Sequence, residues 1–462
     1  MFFNQGAIKK QFNISIYVLT LCVALLGCKK TDNRPNGFSG AVTNTEINQW
    51  IADSLKRYYY WADALPANIS SDQEPLAFFS AIKNNADRFS YLQLPGGSSS
   101  IAATTRSKYG FDYLVITEPV SGKAVGLITL VMNTSPAQAV GLRRGQYFSS
   151  INNTPVTTSN AAALYSQILS ANTVKLGMAT LDGTGVKNGA SVNVTAGATL
   201  EQTALQKTFN TGGKKIGYLF FTAFNSAERA DYLQVFSAYK ADGITDLILD
   251  LRYNAGGDVS AAAAMAALIA NPNPAATFVE FRGNKNGGVR KVSFATEATA
   301  AGGPAFSQIQ QNALGLPRLY VLTTAATASA AELLINNLTP YLNVVHVGET
   351  TRGKDEAAIV ITDKRPAKRV NWELSPIVYK LFNAQGLGGY SNGIAPAYLL
   401  NQINTLPLKA FGDATDPMTA YLINLITTGQ GTTGLTTNAV VTKSKGPIFN
   451  SALEYNVPLK EF

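Results

Sequence analysis

The residue types that are scarce in this chain of 462 residues limit its chemistry first. It has one histidine, His346, and two cysteines, Cys22 and Cys28. A metal centre built from several imidazoles or thiolates is excluded, as is a disulfide framework, and no metal or cofactor is expected. Hydroxyls, amines and backbone amides remain, and three segments bring them together. In Asp250-Leu251-Arg252-Tyr253-Asn254-Ala255-Gly256-Gly257-Asp258, paired glycines between a strand and a helix let backbone N–H groups point outward, as an oxyanion hole requires. In Thr323-Thr324-Ala325-Ala326-Thr327-Ala328-Ser329-Ala330-Ala331-Glu332, Ser329 lies where strand gives way to helix. The N–H of Ala330 is unpaired there, and the helix terminus favours developing negative charge. An ordinary N-cap is the other reading of Ser329. In Gly348-Glu349-Thr350-Thr351-Arg352-Gly353-Lys354, the lysine ends a loop one strand–helix–strand unit further on, which returns it beside Ser329. A lysine deprotonates a serine only when it is itself neutral. Its reference pKa near 10.4 leaves on the order of one in 10³ neutral at pH 7, so burial must lower it by roughly three units. Small neighbours, Gly353, Ala357 and Ala358, allow such packing, whereas Asp355 and Glu356 oppose the shift if they point inward.

Other matches carry less. Gly389-Tyr390-Ser391-Asn392-Gly393 fits the nucleophile-elbow pattern, but Ile394-Ala395-Pro396 follows instead of a helix and the only histidine lies upstream. Gly429-Gln430-Gly431-Thr432-Thr433-Gly434 follows a helix-like segment and no strand–helix–strand unit continues after it, so a loop is expected. Ser237-Ala238-Tyr239-Lys240 has no companion motif and reads as the end of an amphipathic helix. His346 lies in an apolar strand and reads as a structural residue.

The elements that must position these groups follow from hydrophobic periodicity. From about residue 205 the pattern is strand (215–221), helix (226–240), strand (245–251), Ala-rich helix (259–270), strand (318–323), helix (330–338) and strand (344–347). The 245–251 run is nearly all apolar, as a strand buried on both faces is. This is α/β architecture, in which ligands bind beyond the C-terminal ends of strands, where all three segments fall. Upstream, Ile47, Ile51, Leu55 and Tyr58-Tyr59 recur at helical spacing, and Ser71-Asp72-Gln73-Glu74-Pro75 predicts a capping box opening a second helix through Ile82.

Between these regions, Ser135-Pro136-Ala137, the turn Gly141-Leu142-Arg143-Arg144-Gly145 and the hairpin Ile151-Asn152-Asn153-Thr154-Pro155 resemble the core of a PDZ domain, with Gln146 where an acid is usual. The resemblance makes Tyr109, Gly110, Phe111 and Asp112 the peptide-binding loop, presenting N–H groups to a peptide C-terminus while the peptide adds a strand. The three chemical segments together, D-L-R-x-N-x-G-G, T-A-S-A-x-E and G-E-T-x-x-G-K in this order, resemble the carboxyl-terminal processing, or tail-specific, serine protease family. The likeness runs over about residues 44–425. It implies a crotonase-like or Clp-protease-like α/β catalytic core with an inserted or preceding PDZ domain and a small N-terminal helical domain. It also implies that Ser329 is the nucleophile and Lys354 the general base. Glu332 would orient the site, and Ala330 with a glycine of the Gly256-Gly257 pair would form the oxyanion hole. Many members carry a glutamine four residues after the lysine; Ala358 stands there here.

At the N-terminus, Lys9 and Lys10 precede an apolar stretch from Phe12 to Leu26, short for a membrane span and suited to a signal peptide. Leu25-Leu26-Gly27-Cys28 resembles a bacterial lipobox, which implies cleavage before Cys28, lipidation of its thiol and attachment to the membrane through that lipid. Lys29 follows in place of the aspartate of inner-membrane retention, so an outer-membrane lipoprotein of the cell envelope is expected. The expected divisions are 1–27 signal peptide, 28–40 tether, 41–103 helical domain, 104–202 PDZ-like domain, 203–425 protease core and 426–462 C-terminal extension. Net charge is +9, but no Lys/Arg run exceeds two residues and no basic face alternates with aromatics, so no nucleic-acid partner is expected. The expected partners are protein or peptide substrates with free C-termini. An inactive peptide-binding scaffold on the same fold is the alternative, to which the missing glutamine lends weight.

Overall fold

The near-continuous apolar strand Asp246–Asp250 sits inside a six-stranded sheet. The strand order is Tyr398–Leu399, Asn343–Gly348, Arg318–Thr323, Asp246–Asp250, Lys214–Phe221 and Ala204–Thr211. The first five are parallel and the last is antiparallel. Side chains alternate between two apolar layers. Leu219, Phe221, Leu247, Leu249, Leu319 and Val321 pack against the helices Arg229–Asp242, Val259–Ala270 and Ala330–Leu338. Tyr218, Phe220, Ile248, Tyr320 and Leu322 face the helix Pro417–Thr428 on the other side. The helix Val259–Ala270 is buried along almost its whole length, which its run of alanines permits by letting neighbours approach from every direction. In this computed structural model the described residues are 40–97, 99–100, 103–199, 204–431 and 446–454. Cys28, the leader and the 28–39 tether lie outside them.

A four-stranded antiparallel sheet leans on the same core, in the order Val289–Ser293, Thr277–Gly283, Ile377–Phe382 and Glu356–Ala358. It holds the strand that follows Lys354. The mixed α/β character expected of the core is present.

A third sheet is antiparallel throughout. Its order is Phe449–Asn450, Phe111–Thr117, Ala124–Val131, Tyr147–Ile151, Thr173–Asp182 and Gly185–Thr195, with Thr154–Pro155 off to one side. The helix Ala161–Ser170 covers it through Leu164, Tyr165 and Ile168. The first strand of this sheet comes from the far end of the chain. Part of the segment expected to be a C-terminal extension therefore returns to the 111–195 sheet.

The N-terminal helices depart from expectation in two ways. Helix Asn44–Tyr58 is capped by Thr43, whose hydroxyl accepts from Glu46 N at 3.2 Å. The capping box expected at Ser71–Glu74 does not form, and helix Pro75–Ile82 starts after Glu74 with no side-chain cap. Proline at the first position removes one amide that would need a cap, and Asn48 Nδ2 instead donates to the carbonyls of Ser71 and Gln73 at 3.0 and 2.7 Å. The second departure is that the helices do not close their own core. Strand Tyr91–Gln93 pairs with Glu373–Ser375, and Val370, Trp372 and Leu374 fill the cluster around Ile51, Leu55 and Phe78. Among the described residues no helix is long and apolar enough to cross a membrane.

Candidate active site

Two parallel neighbours, Asp246–Asp250 and Arg318–Thr323, end at the same edge of the central sheet, and their turns are tied together. Thr324 Oγ1 donates to the Arg252 carbonyl, Thr327 Oγ1 to the Leu251 carbonyl at 2.7 Å, and Ala328 N to the Asn254 carbonyl at 3.0 Å. Ser329 emerges from this junction with φ 57° and ψ −118°, a conformation that costs a non-glycine residue on the order of 1–3 kcal/mol. Such strain persists only where surrounding contacts impose it. Gly256, at φ +99°, is one of them. A Cβ there would lie 2.5 Å from Ser329 Cβ and 3.0 Å from Ala330 N, so only glycine admits the serine turn. At Gly257, φ +129°, a Cβ would lie 2.1 Å from the Phe224 carbonyl oxygen.

The two glycines differ as donors. The N–H of Gly256 is engaged by Asn254 Oδ1 at 2.9 Å, so this residue supplies room and not a hydrogen bond. Among the described residues no hydrogen bond takes up the N–H of Gly257 or of Ala330.

Glu332 is fully buried one turn into the helix Ala330–Leu338 and accepts four hydrogen bonds. Its Oε2 receives Ser329 N and Lys354 N, each at 2.8 Å; its Oε1 receives Thr351 Oγ1 at 2.5 Å and Gly353 N at 2.6 Å. The backbones of Ser329 and Lys354 thus meet on one carboxylate oxygen. Burial pushes the Glu332 carboxyl above its usual range, and the four donors oppose that rise. Lys354 is 7% exposed, with its ammonium 5.1 Å from the centre of the Phe89 ring. Burial, then the Arg352 charge, lower its pKa to about 8. About one lysine in ten is then neutral at pH 7, against roughly one in 10³ for a solvated one. Glu356, with Glu332 and Asp87, opposes this shift without cancelling it, and both Asp355 and Glu356 are paired with Lys380.

Other singled-out residues take structural places. His346 Nε2 lies 2.6 Å from Thr323 Oγ1, and burial lowers its pKa to about 4, so it is neutral at pH 7. Arg252 is buried between Asp250 and Asp416, which fixes the N-terminus of helix Pro417–Thr428 against the sheet. Ala358 packs with Phe89 and Ile377. Ile394, just after the Gly389–Gly393 run, braces the lysine loop: its N donates to Thr351 Oγ1 at 2.7 Å, and Thr351 N donates to its carbonyl at 3.2 Å.

The loop 109–112 differs from the expectation of an open carboxylate-binding edge. Tyr109, Phe111 and Asp112 are fully buried. The N–H of Gly110 closes the helix Thr105–Tyr109, and the Tyr109 hydroxyl donates to the carbonyls of Ile168 and Ala171. Asp112 is ion-paired with Arg106, whose Nη1 also reaches the Tyr253 carbonyl at 3.1 Å. The loop ties the third sheet to the core, and the side chains of Tyr109, Phe111 and Asp112 are taken up by the fold and not offered to a ligand.

Sequence reasoning missed Arg88 and Phe89. Arg88 Nη2 donates to the carbonyls of Gly353 and, at 3.0 Å, Ser391, and Phe89 covers the lysine. Both belong to the N-terminal region, and only the tertiary fold brings them to the site. Among the described residues no cluster of His, Cys, Asp and Glu is arranged to hold a metal.

Comparison with known proteins places this arrangement beside known folds. Residues 215–365 match the model of peptidase family S41, and residues 46–91 match the peptidase S41 N-terminal domain. These matches support a serine peptidase of family S41. A structure assigned to the S41 proteases, from Bacteroides fragilis NCTC 9343, superposes with a TM-score of 0.66 at 24% identity, covering 82% of this chain and 97% of its own. The photosystem II D1 C-terminal processing protease aligns over 78% of this chain and 94% of its own, at 17% identity and a TM-score of 0.46. No curated protein matches the chain.

Proposed function

We propose that this chain is a serine endopeptidase working through a Ser329/Lys354 dyad. One observation carries the reading: Glu332 Oε2 binds the amides of both Ser329 and Lys354, so the strained serine and the buried lysine share one anchor. In the reaction, Ser329 Oγ attacks the scissile carbonyl carbon as Lys354 Nζ takes the hydroxyl proton. The carbonyl oxygen becomes an oxyanion between the N–H groups of Gly257 and Ala330. The C–N bond then breaks, and Lys354 returns the proton to the departing amine, leaving an acyl-enzyme. Lys354 next takes a proton from water, whose oxygen attacks the ester carbon; the C–Oγ bond breaks, Lys354 returns the proton to Ser329 Oγ, and the product leaves with its new C-terminal carboxyl group. Glu332 positions both residues and does not exchange a proton in this scheme.

The substrates we assign are proteins processed at or near their C-termini, with the sheet of residues 111–195 as a PDZ-like unit that engages the polypeptide at its edge. The Leu25–Cys28 pattern further supports a lipid-anchored protein of the bacterial cell envelope. The test of the dyad is mutational. Ser329→Ala and Lys354→Ala each abolish turnover of a protein substrate, and the double variant is little worse than either, because the pair acts as a unit. Lys354→Arg is equally inactive, since a guanidinium holds its proton. His346→Ala keeps activity if folded. An active Lys354→Ala beside a folded, inactive His346→Ala sinks the mechanism.

A further inference from the structure

The strand Phe111–Thr117 would be an open edge of the third sheet if the chain's own C-terminal segment did not lie on it. Phe449 and Asn450 pair antiparallel with Val115 and Leu114, and Ile448 N donates to the Val115 carbonyl at 2.8 Å. Tyr113 N, next along the edge, donates to Ser451 Oγ at 2.8 Å. The Phe449 ring sits between the strand and the helix Ala161–Ser170, 5.7 Å from the Tyr113 ring and 5.0 Å from the Tyr165 ring. A short extended segment on a sheet edge, with an aromatic side chain held against a flanking helix, is peptide recognition by strand addition.

The fit is incomplete in a telling way. The edge strand has seven residues and its partner only two. Pro447 has no N–H to extend the ladder upstream, and the chain turns away into a single 3-10 turn at Ser451–Glu454. A longer extended peptide has more of the edge to pair with than this segment uses. Beyond the groove, Ala452 is 1% exposed in the apolar cluster that holds Met132, Ile216 and Tyr253. Tyr253 belongs to the turn that carries Gly256 and Gly257, so the occupant of the groove abuts the framework of the active site.

We propose that residues 446–454 are an internal ligand of the groove between strand Phe111–Thr117 and helix Ala161–Ser170, and that an extended substrate polypeptide with an aromatic residue at the Phe449 position must displace them. This rests on the reading of that sheet as a peptide-binding unit. It adds that the free protein is self-occupied. A tethered segment acts at an effective concentration near millimolar, so it raises the concentration of outside peptide needed to enter the groove.

The experiment uses the full chain with Ser329→Ala, so that nothing is cleaved, and a fluorescein-labelled peptide with the sequence of residues 446–454. Fluorescence anisotropy compares this protein with the same protein carrying Phe449→Asp. The expected result is binding at least about tenfold tighter to the Phe449→Asp protein, and none by a peptide with Asp in place of its Phe. Equal affinity of the labelled peptide for the two folded proteins overturns the proposal. If Phe449→Asp does not fold, hydrogen exchange on the Ser329→Ala chain decides. Saturating peptide should strip protection from the amides of 448–452 while leaving those of the 111–117 strand protected. Unchanged exchange at 448–452 overturns the proposal. None of these readouts involves hydrolysis, so the inference and the proposed peptidase activity fail separately.

Discussion

An ammonium group only 7% exposed, with an arginine nearby, is an unstable thing to keep in a folded protein. Lys354 loses its proton at about pH 8 in the fold and near 10.4 once unfolded. Between those values the unfolded chain binds more protons, so stability rises with pH through that window. Below it, the folded state bears a cost of about 3 kcal/mol. Lys354→Met should therefore stabilise the fold at pH 7 by about 2 kcal/mol, and the gain should fade towards pH 10. Urea unfolding at both pH values checks this, and a gain that does not change with pH would separate the lysine from the shift. Under the proposed dyad, kcat/KM should rise with pH through about 8 and level off, since that scheme uses the neutral amine as base. At this scale the sequence was readable where chemistry demands particular types in a particular order. Ser329, Lys354 and Glu332 were singled out by type and order, and the fold brings the backbones of the first two together on the carboxylate of the third. The burial that lowers the lysine pKa was not readable: Phe89, which covers the lysine, lies far away in the chain, and no local pattern marks a residue that acts across the fold.

The elements show the same division between local and distant causes. The helices Val259–Ala270 and Ala330–Leu338 and the strand Arg318–Thr323 have the limits that their periodicity gives, because each is a long apolar run with clear boundaries. The capping box before Pro75 failed because the proline holds the preceding Glu74 in an extended conformation, so the helix begins only at Pro75, while Asn48, on another helix, binds the carbonyls of that turn. The two-residue strands at Tyr398 and Phe449 carry no periodic signal at all; their pairing is set by the edges that they meet. The turn Asp250–Asp258 lies between these cases. Its glycines were legible as a strand–helix turn, but not the division of labour between them. Gly256→Ala tests that division. The added Cβ would meet Ser329 Cβ at 2.5 Å from a backbone at φ +99°, so the serine turn must move. Activity should fall by on the order of 10²-fold, the cost of misplacing a reacting group by about 1 Å. Because the N–H of Gly256 points to Asn254, the loss should come from kcat with binding of a substrate analogue retained. Retained kcat would mean that the turn relaxes away from Ser329.

At the scale of the whole molecule, the question is how the third sheet is held to the catalytic core. Two buried or half-buried arginines do it. Arg144, from the Gly-Leu-Arg-Arg-Gly turn, lies 4.3 Å from the Phe411 ring centre and donates to Gln402 Oε1 at 2.8 Å and the Lys409 carbonyl at 2.8 Å. Arg106 binds Asp112 on the sheet side and the Tyr253 carbonyl on the core side, at the root of the Gly256-Gly257 turn. The sequence does not mark this arginine, and Asp112 reads there as part of a ligand loop. Only the fold turns the pair into a bolt between two sheets. Removing one partner of a buried ion pair costs about 3–5 kcal/mol, because the other charge is left without compensation. Arg106→Ala should therefore destabilise the protein by that amount. Arg106→Ala with Asp112→Ala should recover part of the loss, since no buried carboxylate remains unpaired. At the active site, by contrast, the two variants should agree. Both lose the bond to the Tyr253 carbonyl, so both should show a similar fall in kcat whatever their stability. A double-mutant cycle in chemical denaturation, run beside kcat for each variant, separates the two roles. Stability that recovers in the double variant while kcat stays low assigns the ion pair to folding and the Tyr253 contact to alignment of the site. Full recovery of both would show that Arg106 acts only by neutralising Asp112.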